Sequence, residues 1–187
     1  FKAVRDPKTK TIFSAEGLLI RGTQNGDLSA DNSLFNTRLE RKFSDRAFFF
    51  GQLQFLRDSF KSIDAFWAPT VGVGYKFYAS DRGSFSADVS VGASWEKNPG
   101  QDVKTNGLVA FGEKFSYALS KSALFTHAFS GSVVADDFGD GLYTISVGVA
   151  ASMTDRTQIK FEVLDTYRTR PADETTEKND VSTVVSL

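Results

Sequence analysis

Read from Gly141, the chain runs Leu-Tyr-Thr-Ile-Ser-Val-Gly-Val-Ala-Ala-Ser-Met, and its side chains sort by parity. Tyr143, Ile145, Val147, Val149, Ala151 and Met153 are mostly large and apolar, whereas Thr144, Ser146, Gly148, Ala150 and Ser152 are small or polar. Successive residues of a β-strand point to opposite faces, so a period of two writes one greasy face and one small, wet face. The same division recurs in Phe85, Ala87, Val89, Val91, Ala93 and Trp95 against Ser86, Asp88, Ser90, Gly92, Ser94 and Glu96. Trp67, Val71, Val73, Tyr75 and Phe77 oppose Ala68, Thr70, Gly72, Gly74 and Lys76 in the same way. Ile159, Phe161 and Val163 oppose Gln158, Lys160 and Glu162, and Phe49, Leu53 and Phe55 oppose Gln52 and Gln54. No stretch has comparable helical spacing, so the chain reads as all-β.

The pattern predicts ten strands, over residues 11–22, 32–43, 47–57, 66–78, 84–96, 106–118, 123–134, 141–153, 157–168 and 180–187. A corner recurs between them: Ser44-Asp45-Arg46, Ser80-Asp81-Arg82 and Thr154-Asp155-Arg156, with Ser120-Lys121-Ser122 as a looser relative. Ser or Thr followed by Asp starts a turn by hydrogen-bonding its own backbone. Phe43 and Ala47, and likewise Met153 and Thr157, flank such corners with the parity of a three-residue hairpin loop. The remaining connections, 23–31, 58–65, 97–105, 135–140 and 169–179, carry Gly, Asp, Asn, Pro, Lys and Glu and read as longer loops. Short and long connections are thus expected to alternate.

Two architectures use amphipathic strands joined by hairpins. A soluble sandwich or lipocalin-like carrier turns its apolar face inward to a bulky core; an outer-membrane barrel turns it outward to lipid and keeps a polar lumen. The polar faces here are rich in Ser, Gly, Ala and Thr, with isolated charges at Glu16, Arg38, Glu40, Lys42, Lys76, Asp88, Lys114, Lys160, Glu162 and Arg168. Small side chains with balanced charges suit a narrow lumen, where charges pair because little water is at hand. Strands of about 10 to 13 residues, tilted at about 45°, span a hydrocarbon layer of about 25 Å. Aromatics gather at strand ends on the apolar parity. Phe43, Phe77, Phe85, Phe115, Tyr117 and Phe125 lie near the short turns, and Trp67, Trp95, Tyr143 and Tyr167 near the long loops. That placement matches two interfacial girdles. The expectation is one domain over 1–187: a single antiparallel up-and-down transmembrane β-barrel, with 1–10 as an N-terminal periplasmic segment and both termini periplasmic. A lumen inside about ten strands is largely filled by side chains.

Composition excludes other classes. The 187 residues carry a net charge of −1, which leaves no electrostatic footprint for nucleic acid. Cysteine is absent, so neither disulfides nor thiolate metal sites are available. No apolar run approaches the 18 residues or more of a membrane helix. The opening Phe-Lys-Ala-Val-Arg-Asp-Pro-Lys-Thr-Lys has no apolar signal-peptide core.

The chain also resembles a known family. Arg21-Gly22 before a polar loop, "FFFGQLQFLRDSF" at 48–60, "GVGYKFYASDR" at 72–82 and "LSKSALF" at 119–125 are similar to domain-of-unknown-function family 481, described as salt-induced outer-membrane proteins. The resemblance runs over nearly the whole chain. It implies an outer-membrane β-barrel of Gram-negative bacteria, and it brings no activity and no catalytic residues. The ending, Ser-Thr-Val-Val-Ser-Leu, departs from the terminal aromatic of many such barrels and leaves room for residues to follow, while Val181, Val185 and Leu187 keep the apolar alternation.

Little in the sequence points to catalysis. His127 is the one histidine, so multi-His metal centres are excluded. Asp136, Asp137 and Asp140 are hard oxygen ligands in one expected loop, but their spacing is not that of a Ca²⁺ loop and they read as a solvated acidic turn. No cofactor is implied. Residues 168–180 read as a charged surface hairpin tip, a solvated loop first and a contact for lipopolysaccharide or a partner second. One residue violates the alternation: Glu113 sits on the apolar parity between Phe111 and Phe115. A three-residue turn at 120–122 would place it opposite Phe129 and diagonal to His127. Glu113 and His127 therefore mark either a protein contact on the lipid face, with another protein or a second protomer, or a β-bulge that turns Glu113 inward. The expected function is a non-enzymatic envelope barrel, structural or a narrow channel, in contact with outer-membrane lipid. The alternatives are a surface-binding barrel using its long loops and a soluble carrier.

Overall fold

Each strand finds its hydrogen-bonding partner in the next strand of the sequence. The computed structural model describes residues 2–5, 10–24, 27–59, 63–153, 157–171 and 178–186, and no helix occurs among them. The strands are β1 (Lys2–Arg5), β2 (Thr11–Gln24), β3 (Asp27–Lys42), β4 (Ala47–Asp58), β5 (Ile63–Ser80), β6 (Gly83–Lys97), β7 (Lys104–Ala118), β8 (Ala123–Val134), β9 (Asp137–Ser152), β10 (Gln158–Arg168) and β11 (Asn179–Ser186). They form one sheet whose spatial order is the chain order. β2–β3, β3–β4, β9–β10 and β10–β11 run antiparallel over long stretches, and β1 adds a short antiparallel pairing that sets Lys2 opposite Glu16.

All ten expected strands form, and β1 is an eleventh inside the segment expected to precede them. Two boundaries differ in a way that matters. β3 begins at Asp27 and β9 at Asp137, so the expected loops 23–31 and 135–140 are mostly strand. Gln24 pairs with Asp27, and only residues 135 and 136 separate β8 from β9. The strict alternation of short and long connections is therefore incorrect. Strand ends can be polar because backbone groups, not side chains, close the ladder, and Asn-Gly, the dipeptide between Gln24 and Asp27, is a strong two-residue hairpin signal. Asn25 and Gly26 themselves lie outside the described residues.

The recurring corner has a local cause. The Phe43 amide donates to Ala47 O at 3.2 Å and the Leu119 amide to Ala123 O at 2.9 Å, closing hairpins around three residues. Inside them, Ser44 Oγ accepts from the amides of Arg46 (3.3 Å) and Ala47 (2.9 Å), and Ser120 Oγ accepts from the Ser122 amide (3.2 Å). Ser80 Oγ likewise accepts from the Arg82 amide at 3.2 Å, although there only Asp81 and Arg82 separate the strands. The serine hydroxyl satisfies amides that the ladder leaves over at the bend. Thr154-Asp155-Arg156 lies outside the described residues.

The chain forms two compact units, Phe1–Val73 with Ser90–Val109 and Val134–Asp136, and Gly74–Val89 with Ala110–Val133 and Asp137–Leu187. In the first unit Val71 and Val91 are 64% and 57% exposed, while Thr70 and Ser90 on the other face are 8% and 6% exposed. Phe13, Leu39, Phe49, Trp67 and Trp95 share the exposed face, and Ala68, Ser94 and Glu96 the shielded one. In the second unit Phe77, Val147, Val149 and Phe161 are exposed, whereas Gly148 and Ala150 are buried. The polarity is inverted relative to a soluble sandwich, and no large side chain among the described residues is fully enclosed. Aromatic pairs mark the ends of the exposed face. They are Phe43–Phe49 at 4.5 Å and Phe55–Trp67 at 4.6 Å in the first unit, and Phe77–Phe85 at 5.5 Å and Phe115–Phe125 at 6.2 Å in the second.

Gly92 shows how closely β5 and β6 approach: a Cβ there would lie 2.1 Å from Pro69 O and 2.9 Å from Thr70 Cα. Gly51, by contrast, has nothing within 4 Å of a Cβ. Gly92→Ala should lower stability by about 1–3 kcal/mol, the usual cost of overpacking, and Gly51→Ala should be near neutral. Urea titration followed by tryptophan fluorescence reads both.

Candidate functional site on the polar face

The polar face of the first unit is built in cross-strand rows. Register places Ser14, Arg38 and Gln52 on one row, Glu16, Asn36 and Gln54 on the next, and Ile12, Glu40 and Phe50 on the row to the other side. Arg38 is the centre. Its Nε donates to Glu40 Oε1 at 2.8 Å and its Nη1 to Gln52 Oε1 at 3.2 Å, with the two ion-pair side chains only 11% and 21% exposed. The guanidinium carbon lies 3.6 Å from the centroid of the Phe50 ring and 5.8 Å from that of Phe48. Both rings are buried on the polar face of β4. A planar, weakly hydrated cation suits this double role, forked to oxygen acceptors and stacked on a ring. Farther along, Asn32 Nδ2 donates to Asp58 Oδ2 at 2.9 Å, and Asp58 is 5% exposed.

The other expected polar-face residues occupy that face without forming one centre. In the second unit Lys160 Nζ and Glu162 Oε1 pair at 2.8 Å, repeating the same-strand arrangement of Arg38 and Glu40. Lys42 opposes Phe48 in register, and Arg168 opposes Leu142. Lys76, Asp88 and Arg168 are half-buried, whereas Glu16 and Lys114 are exposed. Parity already places Glu96 on this face, where it is shielded, but it does not single out Asp58, also shielded, or the two rings under Arg38. The even numbers of Phe48, Phe50 and Asp58 beside Gln52 and Gln54 are the available signal.

On the apolar face of the second unit, Glu113 stays on its strand parity. The Leu119–Ala123 and Ala135–Gly107 bonds fix a single register along β7 and β8, so no bulge turns it inward. His127 Nδ1 lies 2.8 Å from Glu113 Oε1, with side chains 27% and 30% exposed.

Comparison with known proteins places this architecture. The model of the family described as "Protein of unknown function, DUF481" matches residues 1–187. The chain belongs to this family. A solved structure of the NanC porin, in a rhombohedral crystal form, is similar at a TM-score of 0.59 and 13% identity, over 99% of this chain and 89% of that one. At that identity the likeness shows a shared porin-type β fold. No curated protein sequence matches the chain.

In this DUF481 chain the acidic residues 136, 137 and 140 do not converge. Asp137 accepts from the Gly139 amide at 3.1 Å through Oδ1 and pairs with Arg170 through Oδ2, so its oxygens are spent on structure. Asp140 sits within β9. Among the described residues no group of three or more His, Cys, Asp and Glu could hold a metal ion. Thr169 stitches the same rim, accepting from the Gly141 amide at 2.7 Å and donating to Gly139 O at 2.8 Å. A further carboxylate escaped the parity reading: Asp165 lies opposite Ile145 and Val181 in the apolar row of β10, and its shielded Oδ1 has no hydrogen-bond partner.

Arg38→Ala removes the ring stack and leaves Glu40 and Gln52 without their donor. It should cost about 1–3 kcal/mol, the penalty for stranding shielded polar groups. Arg38→Lys should recover less than half, because an ammonium cannot fork and stack at once. Urea titration of the two variants decides it.

Proposed function

We propose that this DUF481 chain is a non-enzymatic outer-membrane β-barrel whose polar face lines a narrow, side-chain-filled lumen, acting as a structural envelope element or narrow channel. The observation that carries the reading is the inversion of its two faces, valine, phenylalanine and tryptophan exposed and serine, threonine and glutamate shielded. Exposed apolar surface on this scale is stable only against hydrocarbon or another apolar surface. The aromatic pairs at both ends of that face support two membrane–water boundaries. Shielded amide oxygens on Asn32 and Asn36 lack hydrogen-bond partners and so call for a donor such as water in a polar passage.

On this reading the Ser-Asp-Arg corners face the periplasm. Thr11, which pairs with Arg41, and Ser186, which pairs with Lys160, then lie at the periplasmic ends of their ladders. The outer face meets lipid and, at the loop ends, lipopolysaccharide. A catalytic role has little support, because the side chain of His127 bonds to Glu113 and not to a hydroxyl. The surface-binding alternative is weakened by the strand ends, because Gln24 already pairs with Asp27 and β9 begins three residues after Val134, which leaves fewer long loops to engage a ligand.

Outer membranes extracted with detergent should yield a compact, SDS-resistant band that shifts on boiling. A water-soluble protein with one unshifted band would overturn the reading. In planar bilayers the wild type should give small steps, and Arg38→Ala should enlarge them by clearing the bulky cation from its row of the polar face. Unchanged steps in that variant would remove Arg38 from the conduction path.

A further inference from the structure

We propose that the apolar face of β7 and β8 binds a second copy of this chain, through the Glu113–His127 pair. The inference rests on the membrane-barrel reading and adds an interface to it. A carboxylate and an imidazole in mid-strand, flanked on their own parity by Phe111, Phe115, Phe125 and Phe129, sit where a lipid-facing strand carries aliphatic or aromatic side chains. Their mutual bond uses Glu113 Oε1 and His127 Nδ1. Glu113 Oε2 and His127 Nε2 make no other side-chain hydrogen bond among the described residues, and both side chains remain partly exposed. The apolar face is thus left with an acceptor and, when the imidazole carries both protons, a donor beside it.

That arrangement is self-complementary. A two-fold contact presents the same patch from both sides, so every acceptor must meet its own donor from the other copy. With His127 as imidazolium, Nδ1–H serves Glu113 of its own chain and Nε2–H reaches Oε2 of the partner's Glu113. The reciprocal bond closes a four-residue cycle of alternating charge. The cycle is neutral and satisfies the polar atoms that hydrocarbon would strand. Lipid offers neither an acceptor nor a donor there, and an unrelated partner would have to supply both at matching positions.

The surroundings suit a rigid contact. Phe111, Phe129 and Tyr143 form a cluster on one side of the pair, with ring centroids 6.0 to 6.4 Å apart. Phe115 and Phe125 close the other side at 6.2 Å. At Gly131 a Cβ would lie 2.5 Å from Phe111 and 3.0 Å from Tyr143, so the glycine lets the rings lie flat on the sheet. Flat aromatic surface around a few polar anchors is the composition of an interface core. Asp165, on β10, lies outside this cycle.

The natural chain has no cysteine, so single cysteines report contacts directly. Val147, exposed on the same face, neighbours His127 across β8 and β9, as the Thr126 Oγ1–Gly148 O contact of 3.4 Å sets the register. In intact outer membranes Val147→Cys should be joined into a dimer by a short bis-maleimide, and Leu39→Cys, on the apolar face of the first unit, should not. Adding Glu113→Leu or His127→Leu should abolish the dimer while the heat-modifiable band persists. Cross-linking of Val147→Cys no greater than that of Leu39→Cys, a dimer that survives both leucine substitutions, or an adduct of some other mass would each overturn the interface. Loss of heat-modifiability in the unsubstituted chain would instead bring down the barrel reading and the interface with it.

Discussion

The backbone ladder is the cohesive element on which everything else depends. A sheet with most of its large apolar side chains on the exposed face has only a few buried apolar residues, Phe48, Phe50, Ile63, Leu108 and Val133 among them, to hold it in water. What remains is the hydrogen bonding of each strand to the next, continued to its ends by bonds such as Lys42 N–H to Lys10 O at 2.8 Å and Thr169 N–H to Gly141 O at 2.9 Å. In hydrocarbon such ladders become obligatory, because a strand amide has no water to turn to. The serine hydroxyls at the corners extend the same logic to amides that no strand can reach.

Once the ladder is complete, each face is free to specialise, and the polar face does so at short range. Arg38 with Glu40, and Lys160 with Glu162, pair two residues apart on a single strand, so each charge is neutralised without depending on a distant element. Phe48 and Phe50 are shielded on the same face, and Arg38 makes them compatible with it by stacking. A face built this way is filled yet polar.

How far this was legible in the sequence depends on which physical quantity carried the information. The period of two is a property of single residues, so the faces and ten of the eleven strands could be read directly, whereas β1 lies in a segment with no such period. The relation of Glu113 to His127 could be computed too, because a three-residue corner fixes register along the whole hairpin. Strand ends were misread at 27–31 and 137–140, where polar side chains lose the period while the backbone keeps pairing. Phe48, Phe50 and Asp165 sat on readable parities but broke the colour of their faces. The Arg38 stack was beyond reach, since it needs side-chain geometry across β3 and β4.

The likeness to a porin at 13% identity follows from the same separation of roles. A fold specified by alternation and turns constrains the class of residue at each position and hardly its identity, so sequences can drift apart while the ladder is kept. Agreement with the period then says little about what a particular barrel does. The informative residues are those that break it: aromatic rings and a stacked arginine on the polar parity, and a glutamate, a histidine and an aspartate on the apolar one. The period does not call for any of them, and these positions separate one sheet of this architecture from another.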